Sequence, residues 1–81
     1  MKLPRNLDGE TLVRALGAKL GYERTRQTGS HIRLTTQRSG KHSITVPAHS
    51  PLRVGTLGKI LEQVGTHFEI SRDELLQILF G

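Results

Sequence analysis

Residues 27–46 read QTGSHIRLTTQRSGKHSITV, and the fold turns on how this stretch is interpreted. Residues 30–36 place Ile32 and Leu34 two apart among polar neighbours, and residues 41–46 do the same with Ile44 and Val46. A period of two marks a strand with one buried face. Gln37-Arg38-Ser39-Gly40 has turn chemistry, and Thr28-Gly29 is a second turn ahead of it. Before that turn, residues 22–27 (Tyr-Glu-Arg-Thr-Arg-Gln) are polar and β-tolerant, and they read as a first strand. Three antiparallel strands in two short hairpins are expected.

Working outward, both flanks change to helical spacing. Asp8 stands as a helix cap with Glu10 in the first turn, Leu12, Val13, Leu16 and Leu20 recur on one side, and Gly21 stops the run. After the loop Pro47-Ala48-His49-Ser50-Pro51, residues 55–64 carry an apolar stripe of Leu57, Ile60, Leu61 and Val64, with Gly65 expected to close the helix. Ser71-Arg72-Asp73-Glu74 is a capping box opening a short last helix with Leu75, Leu76, Ile78 and Leu79, read as covering the core. The expected class is α+β: helix, three-stranded antiparallel sheet, helix and short C-terminal helix. One sheet face lies under helices and the other stays wet. At 81 residues the chain is expected to be one domain, 1–81.

Composition narrows the partners. Twelve Lys and Arg against seven Asp and Glu give a net charge of +5, and eight of the twelve are arginine, whose planar fork matches phosphate. The balance points toward a polyanionic partner such as nucleic acid, with a basic protein that has no such partner as the alternative. Without cysteine there is neither a disulfide framework nor a thiolate metal site. Met1-Lys2-Leu3-Pro4-Arg5-Asn6 lacks the apolar core of a leader, and no apolar run approaches the roughly 20 residues of a membrane span. A cytoplasmic protein without membrane association is expected.

The alternation also sorts the candidate chemistry. If Ile32 and Leu34 point into the core, His31, Arg33 and Thr35 share the wet face with Ser43 and Thr45. An exposed histidine is commonly an inert surface group. Beside Arg33 it also suits acid–base work on a ribose 2′-hydroxyl, with the guanidinium opposing charge that develops on phosphate. Gly29 lets the backbone turn tightly, and the Ser30 hydroxyl is a further donor. His49, in a loop bounded by two prolines, is a second and weaker candidate for RNA contact. Lys59 is either a solvated charge or a phosphate contact, and the helix start at Gly55-Thr56-Leu57-Gly58 offers free N–H groups. His42, His49 and His67 form no ligand spacing, and the carboxylates offer no convergent cluster, so neither a metal site nor a cofactor is expected. Phosphate-binding GxxxxGK[ST] and GxGxxG loops are absent.

Gly29-Ser30-His31, Val46-Pro47-Ala48-His49 and Gly55-Thr56-Leu57-Gly58-Lys59-Ile60-Leu61, in this order and spacing, resemble the HicA toxins of toxin–antitoxin pairs over about residues 8–64. The resemblance implies a double-stranded-RNA-binding-domain-like fold and a type II toxin that acts as an mRNA interferase. It also implies metal-independent cleavage and neutralisation by a HicB antitoxin, and a hetero-oligomer with that antitoxin is the expected assembly. The family's catalytic histidine corresponds to His31, with Gly29 and Ser30 at the flanking motif positions. The chain departs from the family pattern at Ile32-Arg33-Leu34 and at Gly58. A noncatalytic RNA-binding module of the same fold is the alternative. It would lean on Arg33 and Lys59 and have no need of His31. A chain whose main task is to hold a protein partner is a third reading. The antitoxin is expected to cover the His31 face.

Overall fold

The computed structural model describes residues 3–81; Met1 and Lys2, the start of the segment read above as carrying no leader, lie outside the described residues. The chain runs α1 (Gly9–Leu20), β1 (Glu23–Thr28), β2 (His31–Thr36), β3 (His42–Pro47), α2 (Val54–Phe68) and α3 (Arg72–Phe80). The strands form one antiparallel sheet in the order β1-β2-β3. This is the α+β arrangement expected from the periodicities.

The core forms because the period-two and period-3.6 stripes meet. Ile32, Leu34, Ile44 and Val46 are all 2 % exposed or less, and they face Leu12 and Leu16 of α1 and Leu57, Leu61 and Val64 of α2 in one apolar cluster. Helix α3 packs against both α1 and α2 through Leu75, Leu76 and Leu79. Ile78, expected in that stripe, is exposed instead, because three residues already fill the inward side of this nine-residue helix. Its capping box forms as read: Ser71 Oγ accepts from Glu74 N at 3.1 Å, and Ser71 N donates to Glu74 Oε1 at 3.5 Å.

Four local expectations need correction. Gly65 does not close α2; the helix continues to Phe68 and ends with Glu69 in the left-handed region at φ 57°. The Ile70 N–H returns to the Gly65 carbonyl at 3.0 Å and the Glu69 N–H to Thr66, a Schellman closure. Gly65 eases that crossing, since a Cβ there would stand 3.0 Å from the Ile70 carbonyl oxygen, a tight contact. Asp8 occupies the cap position of α1, but its carboxylate accepts from Ser50 Oγ at 2.5 Å and makes no capping bond. Tyr22 lies before the first strand and is 4 % exposed, so it belongs to the core. Finally, β1 is exposed along its whole length, because its six residues are all polar and the main helix contacts of the sheet fall on β3.

Polar ties hold the layers in register. Thr36 is buried at the end of β2, and its hydroxyl donates to the Leu20 carbonyl at 2.9 Å. Arg38 donates to the Lys19 carbonyl at 3.0 Å, so a cation sits at the negative end of α1. At the other end of α1, the Gly9 N–H donates to the His49 carbonyl at 2.9 Å. The approach there is so close that a Cβ on Gly9 would fall 2.0 Å from the Pro47 carbonyl oxygen. Backbone cannot yield as a flexible side chain can. Gly9→Ala is therefore expected to lower stability by about 1–3 kcal/mol, as overpacking does, and to reduce the melting temperature correspondingly in a thermal melt.

Tyr22, His42, His67 and Phe68 make an aromatic cluster between β3 and α2. The His42 and His67 rings stack at 4.4 Å and 9°, Tyr22 Oη lies 2.8 Å from His42 Nδ1, and His67 Nε2 lies 2.9 Å from the Arg38 carbonyl. Burial first, and the neighbouring His67 second, hold the His42 imidazole below its ordinary value, while burial pushes the Tyr22 hydroxyl up to about 12. A depressed histidine means that the unfolded chain binds protons first, so stability falls as pH drops through 6.5. A raised tyrosine means that the unfolded chain loses its proton first, so stability falls again as pH rises above 10.0. Denaturant melts across pH are expected to show both limbs, with His42→Phe flattening the acid one and Tyr22→Phe the alkaline one.

Candidate active site

Burial on one side of β2 and β3 decides what stands on the other. His31, Arg33 and Thr45 are exposed, and Thr35 and Ser43 are half-buried on the same wet face, where their hydroxyls meet at 2.8 Å. Thr28 pairs with His31, which leaves Gly29-Ser30 as a two-residue hairpin loop. Gly29 has φ 57° and Ser30 is not in the left-handed region, the pattern of a type II′ turn with glycine first. Among the described residues nothing lies within 4 Å of a Cβ built on Gly29, so the glycine is needed for its conformation and not for space.

The turn is fixed on both sides. Gln27 Nε2 donates to the Gly29 carbonyl at 3.0 Å, and the Ala48 N–H donates to the Ser30 carbonyl at 2.6 Å. His31 pairs with Pro47 at the end of β3. The Val46-Pro47-Ala48 segment is therefore the strand edge against which the Gly29-Ser30-His31 turn is laid. His31 rises from a junction paired with strands on both sides, with its side chain open to solvent.

A shallow hollow on the wet face is lined by Arg26, Thr28, His31, Arg33 and Thr45. Arg33 Nη1 donates to Thr45 Oγ1 at 3.2 Å, which orients its guanidinium along the sheet. No carboxylate lines the hollow. Two guanidinium groups, one imidazole and two hydroxyls suit an anion with several acceptor oxygens and a proton to be moved beside it.

Of the residues singled out from sequence, the fold gathers Gly29, Ser30, His31 and Arg33 in this region. His49 is exposed just beyond β3, with its backbone carbonyl engaged by Gly9, and it does not line the hollow. Lys59 is exposed on α2, which packs on the buried face of the sheet, so it stands apart from His31. Among the described residues no three His, Cys, Asp or Glu side chains are grouped to hold a metal ion. No helix among them is long and apolar enough to cross a membrane.

Arg26 and Thr28 are the lining residues that sequence reading missed. Strict alternation along β1 cannot place them, because the pairing register slips between Arg24 and Arg26. The only sequence signal is the run of three exposed-type residues Arg24-Thr25-Arg26, with no apolar residue to pin a face.

No curated protein and no solved structure matched the chain. Residues 9–66 match the model of a family described as HicA toxin of bacterial toxin-antitoxin. That match begins at the glycine packed against Pro47, includes the whole sheet with its His31 turn and ends inside α2. Spanning well over half of the sequence, it establishes that the chain belongs to the HicA toxin family.

Proposed function

We propose that the chain is an endoribonuclease toxin that cuts mRNA without a metal ion, with His31 as its catalytic residue, in the cytoplasm and with residues 1–81 acting as one domain. The observation that carries this reading is the placement of His31. It is solvent-exposed, beside a hollow that it lines together with Arg33, and its backbone is paired with Thr28 on one side and Pro47 on the other.

The chemistry needs one proton acceptor and a clamp for a phosphodiester. The neutral His31 imidazole takes the proton from a ribose 2′-hydroxyl, and that oxygen attacks the adjacent phosphorus. The bond from phosphorus to the 5′-oxygen breaks, leaving a 2′,3′-cyclic phosphate on one fragment. The departing 5′-oxygen leaves as a hydroxyl, taking its proton from water or from the His31 imidazolium. Arg33, held by Thr45, opposes the charge that builds on the non-bridging oxygens. No second imidazole lines the hollow, so His31 and solvent share the proton traffic.

A HicB-type antitoxin is the expected neutralising partner. The simplest inhibition is to cover an exposed site, and the His31 face is open enough to be covered. Gly29 and Ser30 shape the turn, while Lys59 and His49 are left for more distant contacts with the RNA backbone.

Incubating antitoxin-free protein with labelled mRNA in excess chelator tests the activity. The wild type is expected to cleave it to cyclic-phosphate ends, and His31→Ala to lose roughly a hundredfold or more in rate while still binding RNA. If both proteins bind and neither cuts, the chain is a noncatalytic RNA-binding module. Histidine-directed footprinting tests the partner's position. His31 is expected to become protected when the antitoxin complex forms, and unchanged modification of His31 would place the antitoxin elsewhere.

A further inference from the structure

We propose that Arg26 is a second phosphate-binding residue of the His31 site, gripping the RNA phosphodiester from the side opposite Arg33; this rests on the ribonuclease reading above. Arg24 pairs with Leu34, and Leu34 is buried, so Arg24 lies on the helix side of the sheet. Continued regularly, that register would set Thr25 opposite Arg33 and Arg26 opposite buried Ile32. The observed pairs are Arg26 with Arg33, Gln27 with Ile32 and Thr28 with His31. One extra residue, Thr25, is absorbed as a bulge, and everything after it changes face. The Thr25 hydroxyl donates to the Arg33 carbonyl at 3.3 Å, which fastens the bulge to the strand it serves.

The two arginines of β1 consequently do different things. Arg24 reaches back to α1 and is already satisfied, with Glu10 Oε1 at 2.7 Å and Gln27 Oε1 at 3.1 Å. The Arg26 guanidinium makes no hydrogen bond or ion pair with any described residue, and it lines the hollow with His31. Directly opposed like charges on neighbouring strands repel, and here no carboxylate stands in the hollow to offset the repulsion. An anion placed between the guanidinium groups converts that repulsion into a two-sided clamp. A phosphodiester fits, because its two non-bridging oxygens can each take a fork, and it brings the scissile phosphorus to the rim where His31 stands.

The test compares Arg26→Ala, Arg26→Lys and Arg24→Ala in antitoxin-free protein, reading cleavage of labelled mRNA and its dependence on salt. Arg26→Ala is expected to lose about tenfold or more in kcat/KM, as for a lost charged hydrogen bond, and to flatten the salt dependence. Arg26→Lys is expected to restore the salt dependence and only part of the rate, because the fork is gone. Arg24→Ala is expected to cut like the wild type. Equal losses in Arg24→Ala and Arg26→Ala would overturn the proposal in favour of general basic charge. Wild-type cleavage by Arg26→Ala with impaired antitoxin binding would also overturn it, making the pair a carboxylate dock for the protein partner. A wild type that binds RNA without cutting would remove the ribonuclease reading and the proposal with it.

Discussion

Burial of four side chains, Ile32, Leu34, Ile44 and Val46, is the constraint on which the other features rest. A strand has only two faces, so fixing the buried one fixes the wet one at the same time. Slipping β2 by a single residue would bury His31 and Arg33 under α1 and α2 and push Ile32 and Leu34 into water. The core cannot tolerate that slip. The strength with which it resists is what holds the candidate site in place.

The ends of the sheet are secured by backbone contacts that leave little slack. Gly9 allows the first turn of α1 to lie against Pro47, and the His49 carbonyl accepts its N–H. Ala48 in turn donates to Ser30, one residue from His31. The helix start, the end of β3 and the Gly29-Ser30 turn thus form one connected unit, and the side chain at its apex is an exposed imidazole. A site on strand ends is held more tightly than one on a long loop, which matters when a proton must pass over a hydrogen-bond distance.

Charge is distributed to match. Arg24 is paired with Glu10 across to α1, and Arg38 donates to the Lys19 carbonyl at the C-terminal end of α1, so part of the basic excess is structural. The arginines left on the wet face are those beside His31. The same charges protect β1, an edge strand exposed along its length, from pairing with other chains, since charged edge residues discourage sheet-to-sheet association. One strand therefore serves solubility on its outer side and the candidate site on its wet face.

By itself the sequence determined the three strands and flanking helices, the capping box at Ser71, the wet-face position of His31 and Arg33, and the motifs shared with HicA toxins. These are legible because periodicity and capping act over a few residues, and a buried apolar residue at every second position leaves no freedom of face. Only the tertiary structure decided the bulge at Thr25, the turn of Arg26 and Thr28 toward His31, the burial of Tyr22, the pairing of Asp8 with Ser50 and the passage of α2 through Gly65. Each of those depends on a partner distant along the chain. In β1 no apolar side chain records which way the strand faces, so its register is set by β2. At Gly65 the glycine makes room for the returning Ile70 carbonyl, a close approach that a local pattern cannot distinguish from a helix stop.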